Sequence, residues 1–231
     1  MNRLPRLLLL TDRHQARHPL PELVAAAVAG GARAVVLREK DLPAAERAVL
    51  ATELWQALAP VGGLLIAAST PVGPATAVHL AAGDELPPES LFEVVGRSCH
   101  DASEADSATD VDYVTVSPVF PTRSKPGYGP PLGLAGLAAL CARTPVPVYA
   151  LGGVTRGNAA NCLDAGAAGV AVMGEVMRAA DPAAEVAALL TALTSSRSWK
   201  ATGQIARQDS KIAARAGVAR AGVARAGGER G

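Results

Sequence analysis

Tyr113-Val-Thr-Val-Ser-Pro-Val-Phe-Pro-Thr-Arg-Ser-Lys-Pro-Gly-Tyr128 sets a short apolar run against a polar loop. Tyr113 to Val116 reads as a buried strand. The run breaks at Ser117-Pro118 and opens into a segment carrying Thr122, Ser124 and Lys125. Hydroxyls and a lysine just past the C-terminal end of a strand are suited to holding a phosphate ester. A polar surface turn is the competing reading, and the rest of the chain decides between the two.

Working outward, similar apolar runs recur at regular intervals: Leu7–Thr11, Ala34–Leu37, Leu64–Ala67, Ala77–Leu80, Val95–Cys99, Val148–Leu151 and Gly169–Met173. With Tyr113–Val116 they make eight candidate strands. Most gaps hold a helical pattern. In 19–29, Leu20, Leu23, Val24 and Val28 share one face, and Gly30-Gly31 ends it. The segment 42–58 opens with Pro43, suited to a first helical turn. Segments 133–143, 155–165 and 182–193 follow the same plan, whereas the gap from Ala67 to Ala77 is too short for a full helix. Strands alternating with helices imply parallel pairing through right-handed crossovers. The expected α/β fold is a small closed parallel (β/α)8 TIM barrel over residues 1–193. An open doubly wound sheet is the alternative, but no GxGxxG follows the first strand.

Apolar residues make up 49% of the 231, enough for a core rich in Val, Leu and Ala. From Thr194 onward there are eight Lys/Arg against two Asp/Glu, so this segment carries +6; with a formal net charge of +1, residues 1–193 carry −5. Ala-Arg-Ala-Gly-Val repeats at 214–218 and 219–223. Segment 194–231 thus reads as a low-complexity basic tail, disordered by composition, with no nucleic-acid or membrane role assigned. Cys99, Cys141 and Cys162 have no metal-ligand or CxxC spacing, which fits a reducing compartment and a cytoplasmic location. Leu7–Leu10 is too short for a signal segment, and no apolar stretch is long enough to span a bilayer.

In such a barrel chemistry gathers where strands end on their C-terminal side. The residues there are Thr11, Asp12 and Arg13; Arg38, Glu39, Lys40 and Asp41; Asp84; Ser98, Cys99 and His100; Thr122, Ser124 and Lys125; Gly152-Gly153; and Gly174-Glu175. Strand alternation puts Arg38 and Lys40 on one face. Two cations so placed call for an anion between them, either a diphosphate or a neighbouring carboxylate from Asp12, Asp41 or Asp84. Asp84 could hold Mg2+, since carboxylate oxygen suits that ion. Gly152-Gly153, leading into an expected helix at 155, offers close backbone approach and free N–H groups to an anion, or else simply a tight turn. His79 lies within a strand and reads as a hydrogen-bonded structural residue. His100, at a strand end, is the better proton-transfer candidate. Cys99 reads as a small buried thiol rather than a nucleophile.

These residues also form an ordered set of motifs: Leu-Thr-Asp-Arg at 10–13, Leu-Arg-Glu-Lys-Asp-Leu at 37–42, Val-His-Leu at 78–80, Gly-Arg-Ser-Cys-His at 96–100, Pro-Val-Phe-Pro-Thr-Arg-Ser-Lys-Pro at 118–126, Leu-Gly-Gly-Val at 151–154 and Ala-Gly-Ala-Ala-Gly-Val-Ala-Val-Met at 165–173. From Leu7 to about Leu193 the chain resembles the thiamine phosphate synthase family, which includes a thiazole tautomerase (TenI-like) branch. The resemblance implies a transferase of thiamine biosynthesis. It joins hydroxymethylpyrimidine diphosphate to thiazole phosphate and releases pyrophosphate with Mg2+ as cofactor. It further implies that Arg38, Lys40, Ser98 and Lys125 contact the diphosphate or pyrimidine and that Asp84 ligates Mg2+. It implies as well that Thr122, Ser124, Gly152 and Gly153 hold the thiazole phosphate side, with Gly174 and His100 as further substrate-binding positions. Four positions depart from the family pattern. Ala68 stands where a second Mg2+ carboxylate is expected, Val36 where a glutamine is, and Gly174 where a serine is, while Pro118 replaces the tautomerase histidine. Three readings follow: a synthase; a tautomerase acting on thiazole phosphate without metal; and a non-catalytic phosphate-ligand or regulatory protein. The synthase leads because more diphosphate-side residues are kept than lost. The resemblance also suggests a homo-oligomer.

Overall fold

Eight four- to six-residue strands pair in chain order and close on themselves in a computed structural model that describes residues 4–88, 91–122 and 130–195. They are β1 (Leu7–Leu10), β2 (Ala34–Leu37), β3 (Leu64–Ala68), β4 (Ala77–Leu80), β5 (Val94–Cys99), β6 (Tyr113–Val116), β7 (Val148–Leu151) and β8 (Gly169–Val172). Every neighbouring pair is parallel, and β1 pairs with β8 through Leu7–Val170, Leu8–Ala171 and Leu9–Val172. The expected barrel is therefore present. All eight C-terminal strand ends lie on one rim, because parallel strands in a closed sheet share a direction.

The helices are α1 (Leu20–Ala29), α2 (Ala44–Leu58), α3 (Ala102–Asp106), α4 (Gly133–Arg143), α5 (Ala159–Asp164), α6 (Gly174–Met177) and α7 (Pro182–Thr194). Among the described residues no helix joins β3 to β4, as the short gap required. Two helices were not foreseen: α3 and α6 have five and four residues, too few to display a 3.6-residue period. Asp101 starts α3 by accepting the Glu104 N–H, and Asp181 does the same for α7 with the Ala184 N–H. Pro43 lies one residue before α2 rather than inside its first turn.

One boundary differs in a way that matters. The helix expected from residue 155 begins only at Ala159. Asn158 Oδ1 accepts the Thr155 N–H at 2.8 Å, and Thr155 Oγ1 accepts the Gly157 N–H at 3.2 Å. These side-chain bonds close a local turn that competes with the helix. Gly152-Gly153 consequently does not sit at a helix N-terminus.

Strand alternation divides the core in two. Leu8, Leu10, Ala34, Val36, Ile66, Ala77, Val94 and Ala171 point into the barrel with Tyr113 and Tyr149. The intervening positions, such as Leu7, Leu9, Val35, Leu37 and Val114, pack outward with the helices. Tyr113 and Tyr149 fill the interior in an edge-to-face pair with centroids 5.4 Å apart. Glycines on the neighbouring strands make room for them. A Cβ on Gly96 would lie 2.1 Å from the Tyr113 ring, and one on Gly169 2.5 Å from that of Tyr149. Short strands leave little interior space, and two large rings facing two glycines occupy it.

Candidate active site

Arg38 and Lys40 leave the C-terminal end of β2. The Arg38 backbone N–H is held by Thr11 Oγ1 at 3.0 Å, and its guanidinium reaches Met173 Sδ at 2.9 Å. Lys40 is exposed and donates from Nζ to Ser69 Oγ. The nearby carboxylates are engaged elsewhere. Asp41 forms a two-pronged pair with Arg13, both contacts at 2.6 Å, and also meets His14 at 3.0 Å. The Arg13 guanidinium, with His14, holds the Asp41 carboxyl well below the usual range. Asp12 accepts from Gln15 Nε2, and buried Glu39 accepts from Arg13. Among the described residues, neither Arg38 nor Lys40 makes an ion pair. The alternative of pairing with Asp12, Asp41 or Asp84 is not realised.

Asp84 follows β4. Its Oδ2 accepts the Ala81 N–H at 2.8 Å. Hydrogen bonds from Ser69 and from that backbone group, then Lys40 and Arg97 nearby, hold its carboxyl below the ordinary value against the opposing effect of burial. Ser69 thus links Lys40 to Asp84. Its φ of 62° is the one left-handed non-glycine conformation among the described residues. Such strain at a cleft persists where surrounding contacts over-determine it; here they are the Ser69 N–H to His79 O at 2.9 Å and the two side-chain bonds.

A buried arginine braces the same rim from outside. Arg47 Nη2 donates to Leu37 O at 3.2 Å and Ala68 O at 2.8 Å, while Nη1 donates to Thr70 Oγ1 at 2.8 Å. The ends of β2 and β3 are thereby clamped together. The sequence carried a signal for this residue: Arg47, Ala51, Leu54 and Leu58 form the one buried stripe of α2.

Ser98 points inward near the top of β5 and exchanges a 3.0 Å bond with His79 Nε2; His79 Nδ1 meets the Tyr113 hydroxyl, also at 3.0 Å. Burial, then the charges of Lys40, Arg38 and Arg97, push the His79 pKa down to about 3. The ring is neutral near pH 7 and orients Ser98, as a structural histidine does. His100 is tied to Glu104: both its backbone N–H (2.6 Å) and its Nδ1 (3.0 Å) meet Glu104 Oε2. Cys99 is fully buried and faces the helices, its thiol pushed up to about 12 by burial, so it is no nucleophile.

The glycine pair after β7 serves the turn first. Gly152 and Gly153 have φ of 93° and 65°. A Cβ on Gly153 would meet Pro121 O at 2.5 Å, and one on Gly152 would meet Pro118 Cα at 2.9 Å. Only glycine allows the loop after β6 to come this close, joined by Val119 N–H to Leu151 O and Phe120 N–H to Gly152 O. Thr122 follows this contact in the chain and is half-buried. Ser124 and Lys125 lie outside the described residues. Gly174 opens α6, and the Arg178 guanidinium lies where its Cβ would be, donating to Gln15 Oε1. Gly174 and Glu175 line a cavity of about 380 Å3 with Arg156, Arg178 and Glu185.

Among the described rim residues, Asp84 is the carboxylate that would meet a metal there, its Oδ2 already accepting the Ala81 N–H. Ala68 offers only its carbonyl, already taken by Arg47 and the Thr70 N–H. Among the described residues no three His, Cys, Asp or Glu gather as a protein cage. Mg2+ commonly binds through one or two carboxylates plus substrate phosphates and water. The donor set fits Mg2+ in that sense.

Comparison with known proteins gives one consistent picture. A family profile described as thiamine monophosphate synthase matches residues 7–176. A thiamine-phosphate synthase of Roseiflexus sp. is 36% identical over 204 residues, covering 81% of this chain and 84% of that protein. One of Albidiferax ferrireducens is 39% identical over 191 residues, covering 77% and 86%. The solved thiamine phosphate pyrophosphorylase of Pyrococcus furiosus superposes with a TM-score of 0.73 at 27% identity, covering 83% of this chain and 96% of its own.

Proposed function

The chain belongs to the thiamine monophosphate synthase family, and on that premise we propose that its barrel mouth condenses hydroxymethylpyrimidine diphosphate with thiazole phosphate. The bond from the pyrimidine methylene to the diphosphate oxygen breaks, and pyrophosphate leaves with the electron pair. The thiazole ring nitrogen then supplies the pair for the new C–N bond. Negative charge gathers on the leaving group, so the protein's task is to place fixed cations there and to align the two rings.

The observation that carries this reading is the state of Arg38 and Lys40. Both stand at the mouth with no ion pair among the described residues: Asp41 is held by Arg13, Asp12 by Gln15, and Asp84 is linked to Lys40 only through Ser69, so their charge remains for an anionic substrate. Lys40 reaches the leaving diphosphate, Arg38 the pyrimidine end, and Ser98, oriented by neutral His79, adds a hydroxyl. Asp84 would hold Mg2+, which supplies further neutralisation of the diphosphate. Lys125 joins the diphosphate and pyrimidine contacts, Thr122, Ser124 and the backbone of Gly152 and Gly153 serve the thiazole phosphate side, and Gly174 and His100 are further substrate-binding positions. The partners are thus phosphorylated pyrimidine and thiazole molecules. No helix among the described residues is long and apolar enough to cross a membrane; cytoplasmic location and self-association belong to this proposal.

The test is direct. Purified protein incubated with both phosphorylated precursors and Mg2+ should yield thiamine phosphate and pyrophosphate in equal amounts. Absence of both products would refute the reading. Accelerated isomerisation of a thiazole phosphate tautomer in their place would point to the tautomerase chemistry.

A further inference from the structure

We propose that Arg97 is a positioning residue for Asp84. The proposal rests on the reading of Asp84 as the metal-side ligand of the mouth. Arg97 sits on β5 opposite Leu80, the last residue of β4. Its neighbours at 95 and 99 face the helices, so its side chain leaves the barrel wall on the outer side and plays no direct part in the interior.

The guanidinium turns back onto the loop that carries Asp84. Nη1 donates to Ala82 O at 2.7 Å, Asp84 O at 2.9 Å and Ala81 O at 3.2 Å. Within that loop the Asp84 N–H meets Ala81 O at 3.2 Å, and Asp84 Oδ2 accepts the Ala81 N–H at 2.8 Å. The loop has no side-chain packing at its centre, for a Cβ on Gly83 would find no atom within 4 Å. Among the described residues Arg97 makes no ion pair. Its charge is therefore directed at three carbonyls of one four-residue turn. Charge-assisted bonds are the strong ones, and Nη1, whose two hydrogens are shared among the three carbonyls, is fixed in direction by the planar guanidinium. Rotation of the turn would swing the Asp84 carboxylate away from Ser69 and Lys40. Arg97 opposes that rotation from behind.

Arg97→Met keeps the aliphatic stem and removes the fork; Arg97→Lys keeps a point charge. The full chain, both variants and Asp84→Asn are compared for Mn2+ binding by electron paramagnetic resonance in saturating pyrophosphate. The Mg2+ concentration for half-maximal turnover, the KM for thiazole phosphate and the melting temperature are measured alongside. Loss of an outer partner of a metal ligand typically weakens metal binding about tenfold or more. The expected result is such a loss of Mn2+ affinity in Arg97→Met, partly recovered in Arg97→Lys, with KM for thiazole phosphate unchanged. If Asp84→Asn weakens Mn2+ while both Arg97 variants bind it like the parent, the positioning role is refuted and the site stands. A lowered melting temperature with parental Mn2+ affinity refutes it equally. If Asp84→Asn itself binds Mn2+ normally, the reading of the site fails and this proposal falls with it. Should Arg97→Met not fold, Arg97→Lys decides alone, by the same comparison.

Discussion

Lowering the pH from about 7 to about 5 should cost this protein a measurable share of stability through His79 alone. The ring is buried inside the barrel between the Tyr113 and Ser98 hydroxyls, stacked at 5.4 Å on the Tyr113 ring. Burial first, then Lys40, Arg38 and Arg97, bring its pKa from 6.5 to about 3. The sign follows from which state takes the proton. Between these two values the unfolded chain binds a proton that the native state refuses. Stability is therefore fully present above about pH 6.5 and is lost as the pH falls toward the folded value. One proton is worth about 1.4 kcal/mol per pH unit once well below the unfolded pKa, so the step from pH 7 to pH 5 costs about 2 kcal/mol. Urea unfolding of the parent and of His79→Gln across this range isolates the effect, because every other titrating group is shared. The variant should be less stable at pH 7 but lose about 2 kcal/mol less on acidification, with equal m-values. Parallel pH curves for the two proteins would refute the argument. A second consequence links core and site. An anion bound at Lys40 and Arg38 offsets two of the charges that depress His79, so pyrophosphate should draw its pKa upward, as NMR titration would show.

Other expectations follow from single contacts. Lys40→Met should weaken pyrophosphate binding by about tenfold to a hundredfold in calorimetry, the worth of one hydrogen bond to a charged group, with an unchanged melting temperature. Gly96→Ala places a methyl 2.1 Å from Tyr113 and should destabilise by about 1–3 kcal/mol or more through overpacking; a neutral result would mean the interior has slack. Asp181→Ala removes the cap of α7 and should cost about 1 kcal/mol in urea unfolding. Cys99, Cys141 and Cys162 are buried with thiols pushed up to about 12, 12 and 11, so iodoacetamide should modify them only as fast as the chain unfolds.

The barrel was legible because its signal is local. Each strand is an apolar run that the backbone must bury on both faces, and each long helix repeats an apolar stripe. The strand boundaries fall within one residue of those runs. The helices that escaped notice, α3 and α6, are shorter than the period that would reveal them. The helix expected from residue 155 starts later for a related reason. Asn158 and Thr155 stop the helix through their own side-chain bonds, and residue spacing alone does not show which hydrogen bond wins.

The candidate site divides in the same way. Arg38, Lys40, Asp84 and Ser98 could be read as polar residues at strand ends, since a closed parallel sheet delivers all such ends to one rim. Whether Arg38 and Lys40 are spent on neighbouring acids could not be read, because Asp41 had two basic candidates and only the fold chooses Arg13. Ser69 and Arg97 stayed hidden, since their partners are backbone carbonyls or residues far along the chain, and Arg47 showed only through its place in the apolar stripe of α2. Sequence alone determined the periodicity, hence the layers, and the kinds of charge that reach the mouth. Tertiary structure decided which of those charges remain available, because a hydrogen bond or ion pair depends on ångström-scale distance and direction, and these exist only once the sheet has closed.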